Sequence, residues 1–96
     1  MIMNNLEPAK SLHEQIKEAL VNEWDPIGVK GVPGALNEYD GYIPKIYEML
    51  IQRKTKQDIF KYLWWVETEH MGLVGNKQST EKFTDRLLEI WATTKK

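Results

Sequence analysis

Glu67, Thr68, Glu69 and His70 hold the one Glu-x-x-His of this chain, a spacing that sets a carboxylate and an imidazole on adjacent turns of a helix. Di-iron bundles use that motif twice, with two further inward-facing glutamates, and no second copy occurs here. The other histidine, His13, lies in a different segment, so a mononuclear site would rest on His70, Glu67 and one more carboxylate. The stronger expectation is that His70 packs near a helix C-terminus, where the dipole favours its positive form. Asp25, Glu38 and Asp40 are a second candidate set. With His70 they would supply the acid and base of a small enzyme. Local turn and cap roles account for Asp25 and Asp40 without any chemistry. Ser11 and Ser79 lack a nucleophile-elbow context. The glycines of Gly28-Val29-Lys30-Gly31-Val32-Pro33-Gly34 precede no Gly-Lys-Ser/Thr ending and follow no strand, so they do not form a phosphate-binding loop. The reading assigns no catalytic residue, no metal and no cofactor.

Nucleic acid is the next class to weigh. Arg53, Lys54, Lys56 and Lys61 cluster at a short turn between two helical segments, which superficially resembles a helix-turn-helix. The second segment continues Trp64-Trp65-Val66-Glu67-Thr68-Glu69, and its acidic end opposes contact with phosphate. A solvated basic corner is the preferred reading and weak nucleic-acid binding an alternative. The whole chain supports that order, with 13 Lys and Arg against 14 Asp and Glu. That balance gives no global field toward a polyanion or an anionic lipid surface.

Aromatic side chains remain. Trp64 and Trp65 lie beside Phe60 and Tyr62. The stretch from Trp24 to Tyr42 is too rich in proline and glycine for a helix and too apolar for a slack linker. Ordered loops on helical scaffolds often carry function. Trp24, Asp25, Gly28, Tyr39 and Asp40 are expected to pin this loop to the scaffold. Glu38, Tyr42, Trp64 and Trp65 are the candidate binding residues, together with the middle of the loop from Val29 to Leu36. Tryptophan and tyrosine are residues that protein interfaces favour. The reading is therefore a non-catalytic protein-binding module, its partner another protein or a second copy of the chain.

Four helices must position these groups, over roughly residues 8–24, 39–52, 56–71 and 78–93. The first is expected to start near Pro8 and to stop at Asp25-Pro26, with Leu12, Ile16, Ala19 and Leu20 as its stripe. The second carries Tyr39, Ile43, Ile46, Tyr47 and Leu50, with Asp40 as a possible cap and Pro44 in its first turn. The third opens on Thr55 with Asp58 three residues on, like a capping box, and closes on Gly72. At roughly 100° per residue it turns Ile59, Leu63, Val66 and His70 to the core, Phe60 and Trp64 to one side, Tyr62 and Trp65 to the other. A helix that is apolar around most of its circumference is either central in the bundle, the first expectation, or partly a partner surface. The fourth starts between Asn76 and Thr80 and presents Phe83, Leu87, Ile90 and Trp91. The expected core is Leu12, Ile16, Leu20, Ile43, Ile46, Leu50, Ile59, Leu63, Val66, Phe83, Leu87 and Ile90. The fold class is all-α: a four-helix single domain with a long ordered loop between helices 1 and 2. Ninety-six residues without cysteine, secretory signal or long apolar run point to a soluble cytoplasmic protein without a membrane partner.

Three motifs carry a resemblance. Trp24-Asp25-Pro26-Ile27-Gly28-Val29, then Glu38-Tyr39-Asp40-Gly41-Tyr42, then Glu67-Thr68-Glu69-His70-Met71-Gly72-Leu73 occur in this order along nearly the whole chain. In these it resembles a small bacterial "domain of unknown function" family, mostly Gram-positive, some members labelled phage-related. Related sequences occur among proteins assigned as immunity proteins of polymorphic toxin systems. The resemblance implies a compact α-helical domain without established catalytic residues, and a partner-binding role of immunity or antitoxin type.

Overall fold

The computed structural model describes residues 11–32, 34–35 and 37–94. Within them the chain forms α1 (Leu12–Ala19), α2 (Ile43–Ile51), α3 (Lys56–Trp65) and α4 (Lys77–Thr94), with no strand. α1 and α3 each run on into a five-residue π-turn, Leu20–Trp24 and Val66–His70. A 3-10 turn, Asp40–Tyr42, leads into α2.

Each start has a local cause. Ser11 is extended, and its hydroxyl accepts the Glu14 N–H while the Glu14 carboxylate takes the Ser11 N–H, a complete capping box. α1 therefore begins at Leu12; the earlier start expected at Pro8 falls outside the described residues. Thr55 caps α3 through the Asp58 N–H, and Asn76 caps α4 through the Ser79 N–H. Asp40 does not cap α2; its carboxylate turns to Lys17 instead, 3.5 Å away. Pro44 sits in the first turn, where its missing N–H costs nothing.

The ends are as specific. Asp25 leaves the helical region for the left-handed one (φ 38°, ψ 55°), and its N–H reaches back to the Leu20 carbonyl at 2.8 Å. α2 ends in a Schellman motif: Lys54 N–H donates to Met49 O and Arg53 N–H to Leu50 O, both at 3.0 Å. The left-handed position in it is held by Arg53 (φ 58°), where glycine is the usual occupant. α3 closes with Gly72 at φ +73°, and Leu73 N–H reaches Glu67 O at 3.1 Å.

All twelve residues of the expected core are buried. Ala19, Val21, Trp24, Val29, Tyr39 and Met49 join them. Two members of the expected apolar faces stay outside: Tyr47 is 39% exposed, and His70 is on the surface. The long helix α4 takes the central place, packing against α1 on one side and α3 on the other. This corrects the expectation of a central α3, which packs chiefly on α4 and keeps an outer face. The α3–α4 contact has a buried polar seam. Glu67 accepts the Thr80 hydroxyl at 2.5 Å and the Asn76 N–H at 2.9 Å, and Thr84 donates to the Thr80 carbonyl at 2.8 Å. The carboxylate thus sits at the N-terminus of α4, where the helix dipole favours negative charge.

The Arg53 conformation sets a measurable outcome. A non-glycine residue in the left-handed region costs roughly 1–2 kcal/mol, against roughly 0.5–1 kcal/mol for the extra freedom glycine brings to the unfolded chain. Arg53→Gly should therefore raise stability by about 0.5–1 kcal/mol in urea denaturation, and an unchanged or lower midpoint would contradict that reading.

Candidate functional site

The loop after α1 is organised around one carboxylate. Asp25 Oδ1 accepts the Val29 N–H at 2.6 Å and the Tyr39 hydroxyl at 2.8 Å, and Oδ2 accepts the Lys30 N–H at 3.0 Å. The Tyr39 hydroxyl in turn accepts the Ile27 N–H at 3.1 Å. Gly28 provides the turn at φ +71°, donating its N–H to the Asp25 carbonyl at 3.2 Å. The left-handed shape at Asp25 is one that aspartate tolerates, because its short side chain bonds the neighbouring backbone. Trp24 lies between Tyr39 and Phe83 with both ring centroids 5.7 Å away, tilted on the first and stacked on the second. Burial pushes the Asp25 carboxyl up, but its hydrogen bonds from Val29, Tyr39, Lys30 and Gly28 outweigh this and hold it below the usual carboxylate value. Burial, with the neighbouring Asp25 charge adding to it, pushes the Tyr39 hydroxyl well above the ordinary tyrosine range.

Tyr39 closes the loop, and the 3-10 turn after it delivers Tyr42 to the outer face of α3. There Tyr42 meets His70 edge to face at 5.8 Å between centroids. His70 stacks on Trp65 at 5.7 Å, and Trp65 on Tyr62 at 6.4 Å. The four rings thus form one continuous row, Tyr42–His70–Trp65–Tyr62. Burial first and then the nearby Glu38 charge push the Tyr42 hydroxyl above the ordinary tyrosine pKa. Trp65 remains half exposed, at 51%.

Of the four candidate binding residues, the structure brings Tyr42 and Trp65 to this face, leaves Glu38 exposed with its charge felt at Tyr42, and takes Trp64 elsewhere. Trp64 stacks on Phe60 at 6.1 Å, carries the Lys77 ammonium 5.8 Å above it, and lies so close to Gly75 that a Cβ there would meet the ring at 2.8 Å. Its work is to seal the α3–α4 junction, a place only glycine at position 75 leaves room for.

Tyr62 was legible on the Trp65 side of α3 from periodicity, whereas His70 was not. In an ordinary helix residue 70 lies over residue 66; in the π-turn the Met71 N–H bonds to Val66 O, and the longer i→i+5 repeat returns His70 to Trp65.

The acid–base set does not assemble as one group. Asp25 is committed to the loop and Asp40 to Lys17, while Glu38 and His70 approach Tyr42. Glu67 points into the α4 seam and Glu69 lies outside, so the Glu-x-x-His pair is divided between interior and surface. Among the described residues no three His, Asp or Glu side chains are grouped to hold a metal. At the basic corner Arg53, Lys54 and Lys61 are exposed, while Lys56 is paired with Asp85 at 2.9 Å and Glu81 at 3.6 Å. No helix is long and apolar enough, among the described residues, to cross a membrane. No family model, curated protein or solved structure matches this chain.

The Asp25 geometry fixes a stability prediction with a sign. A carboxyl held below its unfolded value of about 3.9 stabilises the fold fully above that pH and loses the contribution as pH falls through the lower folded value. Asp25→Ala should cost about 2–3 kcal/mol at pH 7, since it strands the Tyr39 hydroxyl and leaves alanine in a left-handed conformation. Asp25→Asn, which keeps one acceptor oxygen and the backbone shape, should cost about half as much. The gap between wild type and Asp25→Asn should narrow between pH 5 and pH 2 (about the acid range over which such a contribution is lost), read from urea midpoints.

Proposed function

We propose that the protein is a non-catalytic binding module whose contact surface for another protein is the Tyr42–Tyr62–Trp65–His70 face. The observation that carries this is the continuous, partly exposed row of four aromatic rings, three of them on α3 and its π-turn. Scattered surface aromatics need no explanation, but a contiguous group in a well-packed scaffold is the composition of an interface centre. Three of the rings come from one helix and its π-turn, so the surface is held rigid before any partner arrives. A rigid aromatic surface loses little conformational entropy on binding. The dispersal of Asp25, Glu38, Asp40 and His70 favours this reading over a small enzyme built on those residues.

Toxin neutralisation is the form of this reading to which the motif resemblance points. Cytoplasmic residence fits it and belongs to the same proposal.

Affinity capture from the native host tests the interface. Wild type should retain a defined partner. Trp65→Ala, with Tyr42→Ala as a second variant, should weaken that partner by about tenfold or more while the circular dichroism spectrum and melting temperature stay close to wild type. Undiminished capture by folded variants of both residues would overturn the proposal.

A further inference from the structure

The charges around the aromatic face carry the reading further. Most carboxylates among the described residues have a partner. Glu23 and Glu89 hold Arg86, Glu81 and Asp85 hold Lys56, Asp40 pairs with Lys17, and Glu48 with Lys45. Glu14 closes the α1 cap, Asp25 holds the loop, Glu67 lies in the buried seam, and Glu18 also has an interaction. Glu38, Asp58 and Glu69 are the exposed acids whose carboxylates make no hydrogen bond or ion pair among the described residues.

All three border the four rings. Glu38 lies within electrostatic reach of Tyr42. Asp58 is one turn before Tyr62 on α3, the i,i+4 relation that places two side chains on one face. Glu69 immediately precedes His70 in the π-turn and follows Trp65 by four residues. Lys61 is the single cation on the outer side of α3.

From this juxtaposition we infer that the face docks arginine side chains from a basic segment of a partner protein. The inference rests on the proposed interface and names its partner chemistry. A guanidinium is planar and weakly hydrated, so it stacks on an indole face while its edge N–H groups reach flanking carboxylates. The half-exposed indole of Trp65 provides the first contact and the three unpaired acids the second. A neutral apolar partner would leave three carboxylates to be desolvated without compensation. An acidic partner would meet like charge.

The probe is an acetylated, amidated Gly-Arg repeat hexapeptide, compared with the same peptide carrying citrulline, which keeps the shape and loses the charge. Titration into the full chain, followed by two-dimensional NMR, should move the Trp65 indole N–H and the His70 signals first. The citrulline peptide should bind about tenfold more weakly or worse. Trp65→Ala and the triple change Glu38→Gln, Asp58→Asn, Glu69→Gln should each reduce affinity by a similar factor, and Lys61→Gln should increase it. Melting curves of each variant confirm that the fold persists. Equal binding of both peptides, shifts that map away from Trp65, or full affinity in the triple variant would overturn the inference. A host partner that depends on Trp65 but ignores the three acids would leave the interface standing and remove only its preference for arginine. A partner indifferent to Trp65 removes both.

Discussion

The carboxylate of Asp25 is the constraint on which most of the molecule depends. It ends the first helix by taking a left-handed conformation and then holds two backbone N–H groups and a tyrosine hydroxyl. Without that hub, the stretch between Trp24 and Tyr39 would be a proline- and glycine-bearing loop with little to offset its conformational entropy. With it, the Tyr39 ring is delivered to Trp24, and Trp24 stacks against Phe83 of α4. One charged group thereby ties the loop to α1 directly and to α4 through two aromatic contacts. Hydrogen bonds to an ionised acceptor are about twice as strong as neutral ones, which suits a hub that must organise a loop without a strand or a disulfide.

The same constraint reaches the candidate surface. Tyr39 directly precedes the 3-10 turn Asp40–Tyr42, so fixing Tyr39 also fixes where Tyr42 emerges. Tyr42 then meets His70, which is placed by the π-turn ending α3. Two irregular segments, one loop and one widened turn, therefore converge on a single face, while the regular helices beneath them carry the core. π-turns are rare and recur at functional sites. Here one presents Trp24 to the loop and the other brings His70 into the aromatic row. The buried pairing of Glu67 with Thr80 and Asn76 holds the second π-turn against α4, so the scaffold is firm where the surface is irregular.

Much of this architecture was legible in the sequence. Apolar spacing located four helices and placed all twelve expected core residues inside. Thr55 marked a helix start and Gly72 an end, because caps act over three or four residues, while the fourth start was bounded only between Asn76 and Thr80. The site was only partly legible. Helical periodicity placed Tyr62 with Trp65 and set Trp64 on the other side, but all-round aromatic cover could not decide which side α4 would take. His70 was misplaced because the arithmetic assumed an ordinary repeat across a segment that switches to i→i+5 bonding. Ser11 fell inside the expected span 8–24 of the first helix, and with Glu14 it forms the capping box that opens α1.

By itself, then, the sequence determined the all-α class and the inward stripes of its four helices, because those follow from short-range periodicity and capping; the second helix, expected from residue 39, starts only at Ile43 after a 3-10 turn. The tertiary structure alone decided that α4 rather than α3 is central and that Asp25 and Tyr39 bond across the loop. It also decided that Trp64 is used in packing while Trp65 stays half exposed, and that Tyr42 and His70 meet on one face. These are contacts between segments far apart in the chain, and their partners are selected by which surfaces bury one another once the helices pack. No local residue pattern encodes that choice.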